Sequence, residues 1–104
     1  MRPLRVTGGD WSFVLLANAD LRGVAFSAFR MHEADLSGAN LTDATVASVD
    51  MAGAWLDKTT FTNADLRGSD LSAVDVATTK LAGAKITGAQ SVVIAQALGL
   101  RVVG

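Results

Sequence analysis

The sequence contains no cysteine and one histidine among its 104 residues. Without cysteine, disulfide bonds and cysteine-ligated zinc or iron–sulfur centres are excluded. The single histidine, His32, leaves little for acid–base or metal chemistry, and no set of nucleophile, base and orienting group can be assembled around it. We expect His32 to be a solvated surface residue. The sequence therefore predicts a protein that is not an enzyme and that binds no cofactor or metal.

Long apolar runs are absent as well. No segment approaches the roughly 18 apolar residues of a membrane helix, and the N-terminus lacks the apolar core of a signal peptide. Glycines do not form a phosphate-binding GxGxxG or GxxxxGK[ST] motif. We expect a single cytoplasmic domain, or part of one, with no membrane contact and no small-molecule substrate.

What the sequence has instead is a five-residue repeat. Counting in fives from Val6 to Ile86, seventeen consecutive positions are large and apolar. In an α-helix, steps of five rotate by about 140° and would scatter these residues around the axis. In a flat strand, an odd step would alternate them between two faces. The positions are Val6, Trp11, Leu16, Leu21, Phe26, Met31, Leu36, Leu41, Val46, Met51, Leu56, Phe61, Leu66, Leu71, Val76, Leu81 and Ile86.

A chain that turns a corner every five residues gives all of these side chains one interior. Four corners close a coil of twenty residues, and coils stack about 4.8 Å apart, as neighbouring strands do. Phe29 occupies a position usually held by a small residue, and Gly9 in the coil below leaves room for it. Glycines recur at the sharp bend, where positive φ is expected: Gly8, Gly23, Gly38, Gly53, Gly68, Gly83 and Gly88.

The chain resembles the pentapeptide-repeat proteins through the phrases ANADLRG, EADLSGANL and NADLRGSDL. The resemblance covers residues 4–88 and implies an all-β solenoid, a right-handed quadrilateral β-helix of about four coils. We expect residues 1–88 to form it and residues 89–104 to form a C-terminal cap. Within the family, residues 2–4, 20–23, 64–68 and 90–100 are similar to the C-terminal half of the actinobacterial fluoroquinolone-resistance branch, whose members inhibit DNA gyrase.

After Gly88 the period stops. Ser91 suits the N-cap of a short helix over residues 92–98, Gly99 suits its C′ position, and Leu100–Val103 suits a strand. In the gyrase-inhibiting branch such a helix joins two rods tail to tail, so the resemblance implies a homodimer; a monomeric cap is the other interpretation. The candidate dimer interface consists of Val92, Val93, Ile94, Gln96, Ala97 and Leu98. At the other end Met1–Leu4 is too short to cover the first coil, so we expect a longer rod or a partner there.

Negative charge is concentrated in the middle of the chain. All ten carboxylates lie between Asp10 and Asp75 with four basic residues, so this segment carries −6 although the whole chain carries −1. Seven acids fall on two adjacent predicted faces, where only Arg30 and Lys58 oppose them, and we expect them to form ladders. They are Asp10, Glu33, Asp35, Asp50, Asp57, Asp70 and Asp75.

The resemblance implies that these acids imitate DNA phosphates and bind the DNA-binding surface of DNA gyrase, without direct binding of nucleic acid. The other interpretation is that they keep the rod soluble and bond to nearby backbone groups. A second candidate contact is an apolar patch: Leu15 and Trp55 share one outward column, and Phe13 lies at the adjoining corner. Three functions follow: a DNA mimic, a scaffold for another protein, or a structural dimerisation fragment without gyrase activity.

Overall fold

The architecture comes from a computed structural model that describes residues 5–28 and 30–103. Phe29 lies outside the described residues, and so does the prediction that Gly9 leaves room for it. Three short strands, β1 (Arg5–Thr7), β2 (Ala25–Ser27) and β3 (Thr45–Ala47), form a parallel sheet in the order β1-β2-β3. One helix, α1 (Gly88–Ala97), follows. The described chain is elongated, with principal extents of 43 × 24 × 20 Å.

Parallel pairing at a separation of twenty residues organises the chain. In the sheet Val6 pairs with Phe26 and Phe26 with Val46. Outside the sheet, isolated bridges such as Leu15 with Asp35 repeat the same separation on other sides of the chain. The predicted twenty-residue period is therefore the register of the backbone pairing. We call each set of positions twenty residues apart a column.

A tight turn follows most of the large apolar residues. The carbonyl of Leu36 accepts a hydrogen bond from the Ala39 N–H at 2.9 Å. The third residue of that turn, Gly38, has φ of 70°, as a type II turn requires. The predicted positive φ is confirmed for the repeat glycines except Gly88, which begins α1 instead. Several other residues adopt it at the same position, including Phe13 with φ of 65°.

The interior alternates large side chains with small ones. Phe61 and Leu66 are fully buried, and so is Ala64 between them. Trp11, predicted to point inward, is 45% exposed instead. Among the described residues it has a column neighbour on one side only, Met31, which is buried, so half of the packing that encloses later residues is missing. The half-buried residues Leu16, Leu21, Val76, Leu81 and Ile86 pack against the core.

Three buried hydroxyls replace alanine at the small positions. Thr59 donates to the carbonyl of Leu36 at 2.8 Å, twenty-three residues earlier. Thr79 and Ser69 bond in the same way to the carbonyls of Leu56 and Val46. Across the described ranges, no buried side-chain nitrogen or oxygen lacks a hydrogen-bond partner. Burial of these hydroxyls is therefore offset by contacts between successive levels of the rod.

Helix α1 begins earlier than predicted. Thr87, not Ser91, is the N-cap: its hydroxyl accepts from the Gln90 N–H at 3.2 Å, and the Gln90 side chain accepts from the Thr87 N–H at 2.7 Å. This reciprocal arrangement is a capping box, and it fixes the start of the helix at Gly88. Ser91 lies inside the first turn and bonds to the Gly88 carbonyl.

The end of α1 agrees with one prediction and contradicts another. Gly99 adopts φ of 80° directly after the C-cap Leu98, as predicted. The strand predicted for Leu100–Val103 is wrong, because these residues pair with no strand in the described chain. Their apolar side chains remain largely exposed. No helix within residues 5–28 and 30–103 has the length and apolarity needed to cross a bilayer.

Candidate partner-binding surface

Most of the candidate acids accept a hydrogen bond from the nearby backbone. An aspartate just before a large apolar residue accepts a hydrogen bond from the backbone N–H two positions further on. This Asx turn shapes the bend that follows. The acids that do so are Asp10, Asp35, Asp50, Asp70 and Asp75, with N···O distances from 2.8 to 3.2 Å. The bond uses one carboxylate oxygen and leaves the negative charge at the surface.

Glu33 and Asp57 accept no such hydrogen bond from a described residue. Glu33 sits at the left-handed turn position, with φ of 56°, and Asp57 follows the buried Leu56. Both are exposed, and neither side chain bonds to another described residue. The structural interpretation therefore explains five of the seven candidate acids and leaves these two for solvent or a partner.

The predicted carboxylate ladders are interrupted. Arg30 pairs with Asp10 on one side and Asp50 on the other. In the next column Asp35 lies between Leu15 and Trp55. Like charges directly opposite each other on neighbouring strands destabilise a sheet, and these intervening residues separate them. Asp50 and Asp70 are the exception, because they are twenty residues apart in one column with no residue between them. The other candidate acids do not stack directly on one another.

His32 is not the purely solvated residue that was predicted. Its Nε2 lies 2.6 Å from Asp50 Oδ2, and the two side chains are 39% and 45% exposed. The hydrogen bond with His32 is the largest cause of a lowered pKa for Asp50, and the bond from the Ala52 N–H adds to it. Within the described ranges, no three His, Asp or Glu side chains are grouped so that they could hold a metal ion.

Two acids outside the acidic faces are paired with arginine. Arg22 forms a two-pronged bond to Asp20, with both N···O distances at 2.9 Å, and Arg67 does the same to Asp65 at 2.9 and 2.7 Å. The bond from Arg67 lowers the pKa of Asp65 to about 2. Sequence analysis missed these pairs, although the repeated Asp-Leu-Arg spacing signals them. These pairs neutralise Asp20 and Asp65, so the two acidic faces carry −5 of the segment's −6 and Asp43 carries the rest.

The predicted apolar patch is exposed and meets two of the acids. Phe13, Leu15 and Trp55 are 68%, 81% and 62% exposed. Together with Glu33 and Asp35 they line one groove at a corner of the rod. We call these five residues the corner groove. Sequence analysis treated the patch and the acids as separate candidates, whereas the structure brings them together.

The candidate dimer residues divide into two groups. Ile94 packs partly buried against the core, one turn after the buried Gln90, and Val92 is also half-buried. The others are exposed: Val93, Gln96, Ala97 and Leu98. Ile94 thus contributes to attaching the helix to the rod, and the exposed group is what a second chain could contact.

Comparison with known families and structures agrees with this geometry. The family model "Pentapeptide repeats" matches residues 12–46, 47–83 and 61–90, with eight copies. A search of curated proteins finds no match. Among solved structures, trypsin-treated QnrB1, a plasmid-mediated fluoroquinolone resistance protein, is similar with a TM-score of 0.62 and 23% identity over 90% of this chain. This chain spans 43% of the length of that QnrB1 chain, and the likeness concerns the fold.

Two cyanobacterial structures are also similar. Rfr23, a pentapeptide repeat protein from Cyanothece 51142, matches 85% of this chain and 63% of its own at 23% identity, with a TM-score of 0.35. HetL from Nostoc sp. strain PCC 7120, a pentapeptide repeat protein involved in regulation of heterocyst differentiation, matches 73% of this chain and 38% of its own. Its identity is 26% and its TM-score is 0.32.

Proposed function

This chain belongs to the pentapeptide-repeat family, and on that premise we propose that it is a non-enzymatic mimic of duplex DNA that binds and modulates DNA gyrase. The rod is then a right-handed quadrilateral β-helix of about four coils, closed by α1. The twenty-residue register of parallel pairing supports this form. A cytoplasmic location follows from gyrase as the partner.

The observation that carries the proposal is the distribution of charge. The two acidic faces hold seven acids and only two basic residues, Arg30 and Lys58. At about 4.8 Å per level, the segment from Asp10 to Asp75 carries about one net negative charge per 2.6 Å of rod. B-DNA carries about one per 1.7 Å of axis. The charge density is therefore of the order that attracts a Lys- and Arg-rich DNA-binding surface.

Support for gyrase as the partner has two sources. The sequence resembles the gyrase-inhibiting branch of the family in the segments given above. QnrB1, which shares the fold, is a fluoroquinolone resistance protein. Both favour an action on the target of these drugs over a role unrelated to it.

The active form in this proposal is a tail-to-tail homodimer. Val93, Leu98 and Leu100 are 37%, 57% and 58% exposed around the C-terminal end of the rod. Large apolar side chains that are exposed together near one end of a chain are candidates for a protein interface. A two-fold contact between two such ends would double the length of the acidic surface and cover these side chains.

A gyrase supercoiling assay tests the proposal. We expect inhibition by the wild-type chain that fades at high salt, and loss of inhibition when Asp35, Asp50 and Asp70 become Asn. Asparagine can still accept the Asx-turn bond, so the fold should persist. The matched control changes Asp20, Asp43 and Asp65 to Asn, which removes the same charge from outside the two acidic faces and should leave inhibition intact. Equal inhibition by the two triple variants would rule out mimicry through the acidic faces.

Light scattering on the same samples tests the dimer. We expect a mass of about 21 kDa, twice the chain mass of 10.7 kDa. A folded dimer without inhibition would leave a scaffold for another protein or a structural dimerisation fragment.

A scaffold for a different protein is the second candidate function, because the exposed Phe13, Leu15 and Trp55 offer an apolar contact. Complexes anchored by aromatic residues depend less on salt than charge-driven ones, so salt dependence separates the two functions.

A further inference from the structure

The corner groove combines exposed apolar walls with uncompensated carboxylates. Leu15, Asp35 and Trp55 follow one another in one column, and Asp35 pairs with both of its neighbours. Phe13 and Glu33 stand on the adjoining corner, twenty residues apart, and complete the lining. Among the described residues, no lysine or arginine lines this groove. Its chemistry is therefore both apolar and anionic.

The stability of the rod does not explain why position 13 is a phenylalanine. Its φ of 65° lies in the left-handed region, which is unfavourable for a bulky residue and costs glycine nothing. Its side chain is 68% exposed, so burial does not compensate. Other residues share this φ because the turn requires it, so what the fold leaves unexplained is a large aromatic ring held exposed at this position.

The two carboxylates of the groove have capacity for a ligand. Asp35 uses Oδ1 to accept the Ser37 N–H at 3.0 Å, and Oδ2 makes no bond to a described residue. The Glu33 side chain makes none either. It lies over Gly53, where an added Cβ would come within 3.2 Å of Glu33 Cγ, so the glycine gives this side chain its room. Two anionic acceptors thus stand on one level of the rod, with Trp55 on the level above.

We propose that the corner groove binds an arginine side chain presented by a partner protein. A guanidinium group stacks on the Trp55 ring, where the ring quadrupole attracts a cation. Its fork of N–H donors reaches the Glu33 and Asp35 carboxylates with charge-assisted hydrogen bonds. The aliphatic stem of the arginine, and an apolar residue beside it, pack on Phe13 and Leu15.

Arginine fits this groove better than lysine does. Its planar cation stacks on an aromatic face and presents several donors in a fixed plane, whereas the lysine ammonium is a strongly hydrated point charge. Aromatic residues that accept arginine are characteristic centres of protein interfaces. This binding goes beyond charge mimicry because it is directional and needs Phe13 and Trp55. It holds for any arginine-bearing partner, whether or not that partner is gyrase.

An NMR titration of the full chain tests the proposal with a blocked glycine-arginine-leucine-glycine tetrapeptide. We expect saturable shifts of the Trp55 indole N–H and of the Glu33 and Asp35 amides, while the Trp11 indole serves as the internal reference. The same peptide with citrulline, which keeps the shape of arginine without its charge, should bind at least tenfold more weakly. Equal affinity for the arginine and citrulline peptides, or for a lysine peptide, would overturn the assignment.

Variants separate binding from folding. Phe13→Gly should weaken the arginine peptide about fivefold while leaving the unfolding midpoint unchanged or raised, because it removes the left-handed strain. Glu33→Gln with Asp35→Asn should weaken it about tenfold. Asp20→Asn with Asp43→Asn removes the same charge away from the groove and should leave affinity unchanged. If Phe13→Gly destabilises the chain but binds arginine normally, Phe13 is structural and the proposal is wrong. The titration contains no gyrase, so its result is independent of the supercoiling assay.

Discussion

The side-chain amide of Gln90 donates a hydrogen bond to the backbone carbonyl of Leu66 at 2.6 Å, across twenty-four residues of chain. The same nitrogen donates to the Ser69 carbonyl at 2.8 Å, while Gln90 Oε1 accepts from Thr87. Gln90 is thus at once part of the capping box of α1 and a hydrogen-bond donor to the last levels of the rod. One buried polar side chain fixes where the helix sits.

We expect Gln90→Ala to lower the free energy of unfolding by about 2–3 kcal/mol, because the change removes two buried hydrogen bonds and one part-buried one. Urea unfolding followed by circular dichroism measures this. Gln96→Ala, on the exposed part of the same helix, should change stability by less than about 0.5 kcal/mol. Equal effects of the two substitutions would mean that Gln90 does not hold α1 in place.

Thr59→Val should cost about 1 kcal/mol of unfolding free energy. Valine keeps the shape of threonine, but the Leu36 carbonyl loses a donor at 2.8 Å in a fully buried position. That carbonyl keeps its bond from the Ala39 N–H, which limits the loss. The neighbouring Thr60 is half-buried and its hydroxyl makes no such bond, so Thr60→Val is the control and should be nearly neutral. A neutral Thr59→Val would show that the buried hydroxyl adds nothing.

Acid should weaken the rod through Asp65. The bond from Arg67 lowers the pKa of Asp65 from 3.8 to about 2. A lowered pKa in the folded state stabilises the fold above the unfolded pKa, and the stabilisation is lost progressively as pH falls from about 5 to about 1, through the folded pKa. Because the pair is solvent-accessible, we expect less than about 1 kcal/mol between wild type and Asp65→Asn at pH 5, and almost none near pH 1. Urea unfolding at both pH values checks this; a difference of the same size at about pH 1 contradicts it.

Two glycines at the same turn position should respond differently to alanine. Both have φ near 70°, but a Cβ at Gly23 meets nothing within 4 Å, whereas at Gly38 it meets the Asn18 side chain. Gly23→Ala should therefore cost about 1 kcal/mol from backbone strain alone, and Gly38→Ala should cost more. Thermal unfolding measures both. Adding Asn18→Gly should remove the excess; if it does not, steric contact is not the cause.

The sequence was sufficient to predict how the backbone pairs. Seventeen large apolar positions in one register left few alternatives, and the twenty-residue separation appears in pairs such as Phe26 with Val46. The left-handed bend was predictable from glycine at positions such as Gly38. The exposure of Trp11 was not predictable from the repeat, because enclosure depends on neighbours from two levels and the described chain supplies one.

Contacts between side chains were harder to predict. The bond between His32 and Asp50 joins residues eighteen apart, a separation that a five-residue pattern does not mark. The capping box from Thr87 to Gln90 overlaps the last repeat, so Ser91 was taken as the N-cap in error. Arginine pairing within Asp-Leu-Arg, by contrast, was readable from spacing alone. The placement of Phe13 and Glu33 in one column also follows from their residue numbers, which differ by twenty.

Because residues twenty apart share a column, the side of the rod on which a residue lies depends on how many residues precede it. In the proposed four-sided coil, an inserted pentapeptide would keep the five-residue apolar register yet move all downstream surface residues by a quarter of the circumference. Such an insertion between Phe13 and Glu33 would separate the residues that line the corner groove without disturbing the core. An insertion of a full circuit would only lengthen the rod, by about 4.8 Å. Insertions or deletions of twenty residues, or of a multiple of twenty, are therefore the ones that preserve the partner-binding surface.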